Sequence, residues 1–190
     1  MSKTCIGFAL CGSFCTFKKA ILQMENLMKS GYDILPIMSF TACATDTRFG
    51  SAKSFINEIE ELTGKKIINS IESAEPIGPK KMCDLMLVCP CTGNTLGKIS
   101  NGITDTPVTM AVKSHLRVLR PLLLCVATND ALGASAPNIG KLLNTKNVYF
   151  VPMSQDDPHN KPNSLVSHFE LVKKSVESAL LRTQYQPVFM

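Results

Sequence analysis

No apolar run in this sequence approaches the roughly 18 residues needed to span a bilayer, and the short apolar stretch that follows the N-terminal MSKTC lacks a cleavage-type pattern. That stretch reads as a first β-strand, so no membrane segment is expected. Charge is sparse: 18% of residues are charged and 45% hydrophobic, with a mean hydropathy of +0.11. This balance excludes a disordered chain and leaves apolar surface for other subunits to cover, so a homo-oligomer is expected. Cysteine and histidine spacing that completes a four-ligand zinc site is missing, Cys89-Pro90-Cys91 being the one close cysteine pair of note, and no metal is expected. The eight cysteines sit mostly in apolar, strand-like contexts and not in a loop-rich disulfide scaffold, which favours a reducing cytoplasm. Basic residues exceed acidic ones by only 20 to 15, and they are scattered except for KSHLRVLR at 113–120. With no aromatics interleaved, that cluster reads as a solvated helix face in preference to a nucleic-acid surface.

What is present is an alternation of short apolar runs with longer amphipathic segments, the pattern of βα units on a parallel sheet. Six strands are predicted, at 4–10, 32–39, 66–70, 84–90, 121–127 and 147–152. Between the first two, Phe17, Ile21, Met24, Leu27 and Met28 recur at helical spacing, with Gly31 placed as a terminator. The next helix has Ser51 or Ser54 as N-cap, Phe55, Ile59 and Leu62 on one face, and Gly64 at its end. A long amphipathic helix is predicted over 164–182. The expectation is a Rossmann-like, three-layer α/β fold with a six-stranded parallel sheet. It forms one domain over residues 1–183, with a tail at 184–190 that is mobile or docks on a neighbouring chain. Ligands of such sheets bind beyond the carboxyl ends of the strands. The irregular loop 154–163 is long enough to suggest function.

Strand-end loops carry the motifs. After strand one, Gly12, Ser13 and Phe14 make a small-residue turn into a helix, suited either to an anion or to a plain tight turn. GxGxxG and the P-loop Lys-Ser/Thr are both missing, which argues against a dinucleotide or nucleotide held in those manners. Ser39 and Thr41 place hydroxyls after strand two, for phosphate oxygens or for helix capping. The strongest signal is Thr92, Asn94 and Thr95, a Thr-Gly-Asn-Thr helix start of poor propensity; capping accounts for one hydroxyl but not for three polar groups. Ala127, Thr128 and Asn129 end strand five, and the small residues 131–136 after them would let a flat ring approach the backbone. Together these loops describe a pocket for a neutral planar ring with an attached phosphate.

PCTGNTLGKISNGITDTPVT and PLLLCVATND resemble the corresponding segments of the flavoprotein family of homo-oligomeric flavin-containing cysteine decarboxylases. The resemblance implies flavin mononucleotide (FMN), its phosphate and ribityl chain gripped by Gly12, Ser13, Phe14, Ser39 and Thr41. Thr92, Asn94, Thr95, Ala127, Thr128 and Asn129 would border its ring or ribityl hydroxyls. Two departures stand against decarboxylation: the family's histidine falls on Pro76 or Ile77, and no cysteine follows Cys125 where the family has its substrate clamp. Both departures, together with EPIGPK, NTKNVYFVP and QDDPHNKPNSLV, resemble one branch of the family found in spore-forming bacteria. That likeness implies work with a companion A subunit, in the mother cell, to oxidise a dihydrodipicolinate-level precursor to dipicolinate.

Such a conversion removes two hydrogens, which needs a flavin here or a nicotinamide, NAD or NADP, on the partner subunit. The alternative is a non-catalytic scaffold or regulatory partner of a nicotinamide-dependent A subunit. A small dicarboxylate substrate calls for cations, and Arg48, Lys98 and Lys161 are the candidates, Arg48 first because a guanidinium pairs with a carboxylate bidentately; each has a plain surface reading as well. No side chain is assigned as catalytic. His159 is of a type that moves protons near neutral pH, or it is a bystander in its loop. Cys11 and Cys91 read as small apolar packing residues.

Overall fold

The computed structural model describes residues 3–190, so the first two residues of the predicted domain lie outside it. Five strands run parallel: β1 (Cys5–Leu10), β2 (Asp33–Met38), β3 (Leu85–Cys91), β4 (Leu122–Thr128) and β5 (Val148–Phe150), in the spatial order β2-β1-β3-β4-β5. Two short strands, β6 (Met153–Ser154) and β7 (Leu165–Ser167), add an antiparallel extension. β7 pairs Val166 with Ala127 and Leu165 with Thr128, at the carboxyl end of β4, and β6 pairs with β7. The expected α/β architecture with a mostly parallel sheet is present, with seven strands in place of six.

Both faces of the sheet are covered, and the pleat of β3 shows why its sequence is apolar throughout. Leu85, Leu87 and Cys89 join the core under α1 (Phe17–Lys29), together with Phe17, Met24, Phe55 and Val176. Met86 and Val88 join the opposite core with Leu96, Val112 and Ile139, and Cys91 follows them there after an irregularity in the ladder between Val88 and Cys91. Alternate residues of a strand face opposite sides, so a strand buried on both faces needs apolar residues at every position. The first core is completed by α3 (Ala52–Thr63), whose Ser51 cap and left-handed Gly64 terminator match the sequence reading, and by α8 (Val172–Leu180). On the other face stand α4 (Ile71–Ala74), α5 (Gly93–Ser100), α6 (Pro107–Arg117) and α7 (Ala136–Leu143). The short α2 (Phe40–Ala44) follows β2. No helix among the described residues is long and apolar enough to cross a membrane.

Three predicted elements are corrected. The 66–70 run is not a strand: Ile68 alone bridges to Ile37, donating from its N–H to the Pro36 carbonyl and accepting from Met38 N–H. Within a parallel strand a residue's N–H and C=O point to the same side, so Pro36 lacks its donor on this very edge and the ladder stops. The predicted helix over 164–182 begins instead as β7, passes through a single 3-10 turn at Phe169–Leu171 and becomes helical only at Val172. Burial of Leu165 and Ser167 around half-exposed Val166 is a period-two pattern that the open edge of β4 selects over the helix. The tail packs on its own chain: the Gln184 amide donates to and accepts from the Phe150 backbone at 2.7 and 2.8 Å, and Val188 and Met190 bond Met153. It thereby satisfies the outer edge of β5, whose polar groups would otherwise be unpaired.

Candidate functional site

The carboxyl ends of β1, β3 and β4 open into a cleft of about 810 Å³, within the range of small-molecule sites. Gly12, Ser13 and Phe14 line it from β1, Thr92 and Asn94 from β3, and Ala127, Thr128 and Asn129 from β4. Arg48 and Lys161 also line it. A second depression of about 500 Å³ holds Ser39, Thr41, Thr95 and Lys98, and the two share Gly12, Thr92 and Asn94. The chain thus gathers the residues singled out from four separate loops into two adjoining hollows.

The Thr-Gly-Asn-Thr turn resolves into separate tasks. Thr92 is the N-cap of α5, its hydroxyl accepting from Thr95 N–H at 3.3 Å. The Thr95 hydroxyl donates to Cys11 Sγ at 3.2 Å, tying α5 to the end of β1. The exposed Asn94 amide has no hydrogen-bond partner among the described residues and borders both hollows. Asn129, exposed at the end of β4, is likewise free for a ligand. In the second depression the Ser39 hydroxyl caps α2 by accepting from Ala42 N–H at 3.2 Å, while Thr41 is exposed. After β1, Ser13 N–H turns back to the Cys11 carbonyl, and the Gly12 and Phe14 N–H groups enter no described backbone bond.

The three candidate cations differ. Lys98 is paired with Asp105 at 2.8 Å, which holds the Asp105 carboxyl below its ordinary value. Lys161 is paired with Asp156 at 3.0 Å and raised by that contact, while Ser164 and Lys161 together lower Asp156. Arg48 stacks over Phe49, 4.9 Å from the ring centroid, and has no carboxylate partner among the described residues, so its fork is open to an anion. The buried thiols of Cys11 and Cys91 are neutral at physiological pH. Burial pushes Cys11 up to about 11 against the Thr95 hydrogen bond, and pushes Cys91 well above the ordinary thiol value. Neither is an activated nucleophile.

No histidine lines the larger cleft. His159 is exposed outside it, His168 bonds Ser154 and Glu170, and His115 is wholly buried against Cys83. Ile77, one of the two positions that match the family's histidine, is buried in the core. The stretch 131–136 does not line the cleft and so supplies no floor for a ring: it turns away into α7, with Leu132 N–H held by the Asn163 carbonyl. Among the described residues no group of three or more His, Cys, Asp or Glu is arranged to hold a metal ion. Sequence reasoning missed Cys15, Thr16, Phe49, Gly93, Asp130 and Val166 as cleft residues, and from the 154–163 loop it named Lys161 but not Asp156 or, just beyond it, Ser164. No local signal marks Asp130, whose partners Thr128 and Ser135 meet it only in the folded chain.

The flavoprotein family model matches residues 1–173. This chain belongs to the flavoprotein family. The dipicolinate synthase B subunit of Bacillus subtilis (strain 168) is 44% identical over 185 residues, 97% of this chain and 92% of that protein. The crystal structure of the dipicolinate synthase B subunit from Bacillus halodurans C aligns with a TM-score of 0.90 at 43% identity, covering 98% of this chain and 96% of that one. The FMN-dependent cysteine decarboxylase SpaF, at 20% identity and a TM-score of 0.70 over 94% and 95% of the two chains, shares the flavoprotein fold.

Proposed function

We propose that this flavoprotein works as the B subunit of a dipicolinate synthase, acting with the dipicolinate synthase A subunit in the cytoplasm of the mother cell during sporulation. There it takes part in oxidising a dihydrodipicolinate-level precursor to dipicolinate. The observation that carries the reading is the pair of free amides, Asn94 and Asn129, at adjacent strand ends in a cleft joined to a hydroxyl-lined hollow. The identity to the Bacillus subtilis protein over nearly the whole chain supports it.

The residues fit FMN. Unpaired amides suit the mixed donor and acceptor edge of a flavin, Phe14 and Val166 offer apolar wall, and Ser39, Thr41 and the free N–H groups of Gly12 and Phe14 suit a phosphate and ribityl chain. When bound, a flavin supplies the hydride acceptor that no side chain provides. This chain's own work is then to hold and orient: Arg48 takes a substrate carboxylate, and Lys98 and Lys161 act through their ion pairs. NAD or NADP would serve on the A subunit. The substrate is a small dicarboxylate, and the assembly is a homo-oligomer in which exposed Phe40 and Phe49, at the rims of the two hollows, are covered by neighbouring chains.

A second reading has an observation of its own. No histidine lines the cleft and the buried thiols of Cys11 and Cys91 are neutral, as expected of a scaffold or regulatory partner to an A subunit that performs the nicotinamide chemistry alone. An absorbance spectrum from about 300 to 550 nm, taken before and after adding FMN and desalting, separates the two. A retained flavin band, with or without the A subunit, is the expected result; no band in either case leaves the scaffold.

A further inference from the structure

Four charged side chains line the larger cleft: Arg48, Asp130, Asp156 and Lys161. Asp156 and Lys161 neutralise each other, whereas Arg48 and Asp130 have no ionic partner among the described residues. Asp130 is engaged in another way. Its Oδ1 accepts from the Thr128 hydroxyl and, at 2.9 Å, from the Ser135 hydroxyl. A hydroxyl has one proton to give, so Thr128, half-exposed on the cleft wall, has only lone pairs left for a ligand.

Gly93 closes this cluster from the other side. A Cβ at Gly93 would stand 2.6 Å from Asp130 Oδ1 and 2.7 Å from both the Thr128 and Ser135 hydroxyl oxygens. The first residue of α5 therefore rests on three oxygens contributed by β4 and the turn after it. The next residue is Asn94, the free amide that borders both hollows.

We propose that Asp130 is a positioning residue that sets the hydrogen-bonding polarity of the cleft. It commits the Thr128 proton, which makes that wall an acceptor surface, and through Gly93 it fixes where Asn94 stands. Resting on the reading that the cleft takes a planar ring, the inference specifies the ligand and its orientation. A planar heterocycle with an N–H or O–H on its ring edge sits with that donor edge on Thr128, which leaves Arg48 to a substrate carboxylate. An edge presenting only acceptors meets lone pairs and a carboxylate there, and is rejected.

The test is an FMN titration of wild type, Asp130→Ala, Asp130→Asn, Thr128→Val and the Asp130→Ala/Thr128→Val double variant, with the backbone amide shift of Asn94 recorded by NMR without ligand. Asp130→Ala and Thr128→Val are each expected to weaken FMN about tenfold. Asp130→Asn, which keeps an acceptor oxygen, retains most of the affinity, and the double variant is no weaker than the worse single one. In Asp130→Ala the Asn94 amide shifts while the melting temperature stays within a few degrees. Losses that multiply in the double variant, or wild-type affinity in Asp130→Ala, overturn the proposal. If wild type binds no FMN, the flavin reading falls by itself; the Asn94 shift then decides, and an amide that does not move in Asp130→Ala overturns the positioning role.

Discussion

Asn94 and His115 are opposite cases of a polar side chain placed by its neighbours. In the Thr92–Thr95 turn, one hydroxyl caps the helix and the other is tied to Cys11, so the Asn94 amide alone is left for a ligand. Asn94→Ala removes one or two ligand hydrogen bonds and leaves the cap intact. FMN retention measured by equilibrium dialysis is expected to drop about tenfold, with thermal stability unchanged. His115, wholly buried, is held neutral: its Nε2 lies 3.1 Å from the Pro121 carbonyl, which only accepts, so the ring proton is on Nε2 and Nδ1 faces the Cys83 thiol at 3.5 Å. Burial pushes its pKa down from 6.5 to about 4 and that of Cys83 up to about 12. The unfolded chain takes up the proton first, so His115 contributes stability that is present above pH 6.5 and is lost as the pH falls toward 4. Between pH 7.5 and pH 5 that loss is about 2 kcal/mol. Urea unfolding at the two pH values should show it in wild type and a smaller loss in His115→Gln; equal losses in the two proteins would place the effect elsewhere.

At the scale of elements, Gly78 shows how closely α6 is packed. Its N–H donates to the Ser114 hydroxyl at 2.8 Å, that hydroxyl donates on to the Glu75 carbonyl, and a Cβ at Gly78 would collide with the Ser114 backbone. Gly78→Ala must push α6 away from the 75–78 turn and is expected to cost about 3 kcal/mol or more. Gly140, inside α7, has nothing within 4 Å of an added Cβ. Gly140→Ala should stabilise by about 0.5–1 kcal/mol, from helix propensity alone. Chemical denaturation that ranked these two variants in the reverse order would refute the packing argument.

The same scale explains what could be read from the sequence. The doubly buried β1, β3 and β4 are apolar along their length up to Thr128 at the cleft end of β4, and α3 carries its own start and stop signals in Ser51 and Gly64. These elements are encoded locally. The 66–70 segment and residues 165–167 are decided by partners distant in sequence: a missing N–H at Pro36 ends one ladder, and the open edge of β4 draws in the other segment. The candidate site divides along the same line. Strand-end residues from Gly12 to Asn129 were legible because topology alone brings strand ends together. Asp130 was not, since its importance lies in Thr128, Ser135 and Gly93 converging on it in space. Nor did spacing reveal that Lys98 and Lys161 are already paired, whereas Arg48 is not.

For the whole molecule, the exposed apolar side chains are informative by position. Phe40 and Phe49 stand at the rims of the two hollows, and Ile103 and Leu132 lie in the loops that follow α5 and β4, each 38–49% exposed. Large apolar groups at the rim of a ligand cleft, as Phe40 and Phe49 are, are what an interface leaves uncovered in a single chain, while Leu119 and Leu181, 62% and 77% exposed, line neither hollow. If neighbouring chains complete the cleft, flavin binding and association are linked, and each strengthens the other. Light scattering on the eluting protein should then give a multiple of 20.7 kDa. Ile103→Glu, outside both hollows, should lower that mass and loosen FMN in parallel, because a buried glutamate without a partner is costly. Adding FMN should shift the variant back toward the larger species. A wild type that elutes at 20.7 kDa with flavin firmly bound would show instead that one chain completes the site and that the apolar rim has another purpose. Loss of mass without loss of flavin would separate the two properties, leaving the strand-end residues of a single chain, Asn94 and Asn129 foremost, to account for the binding.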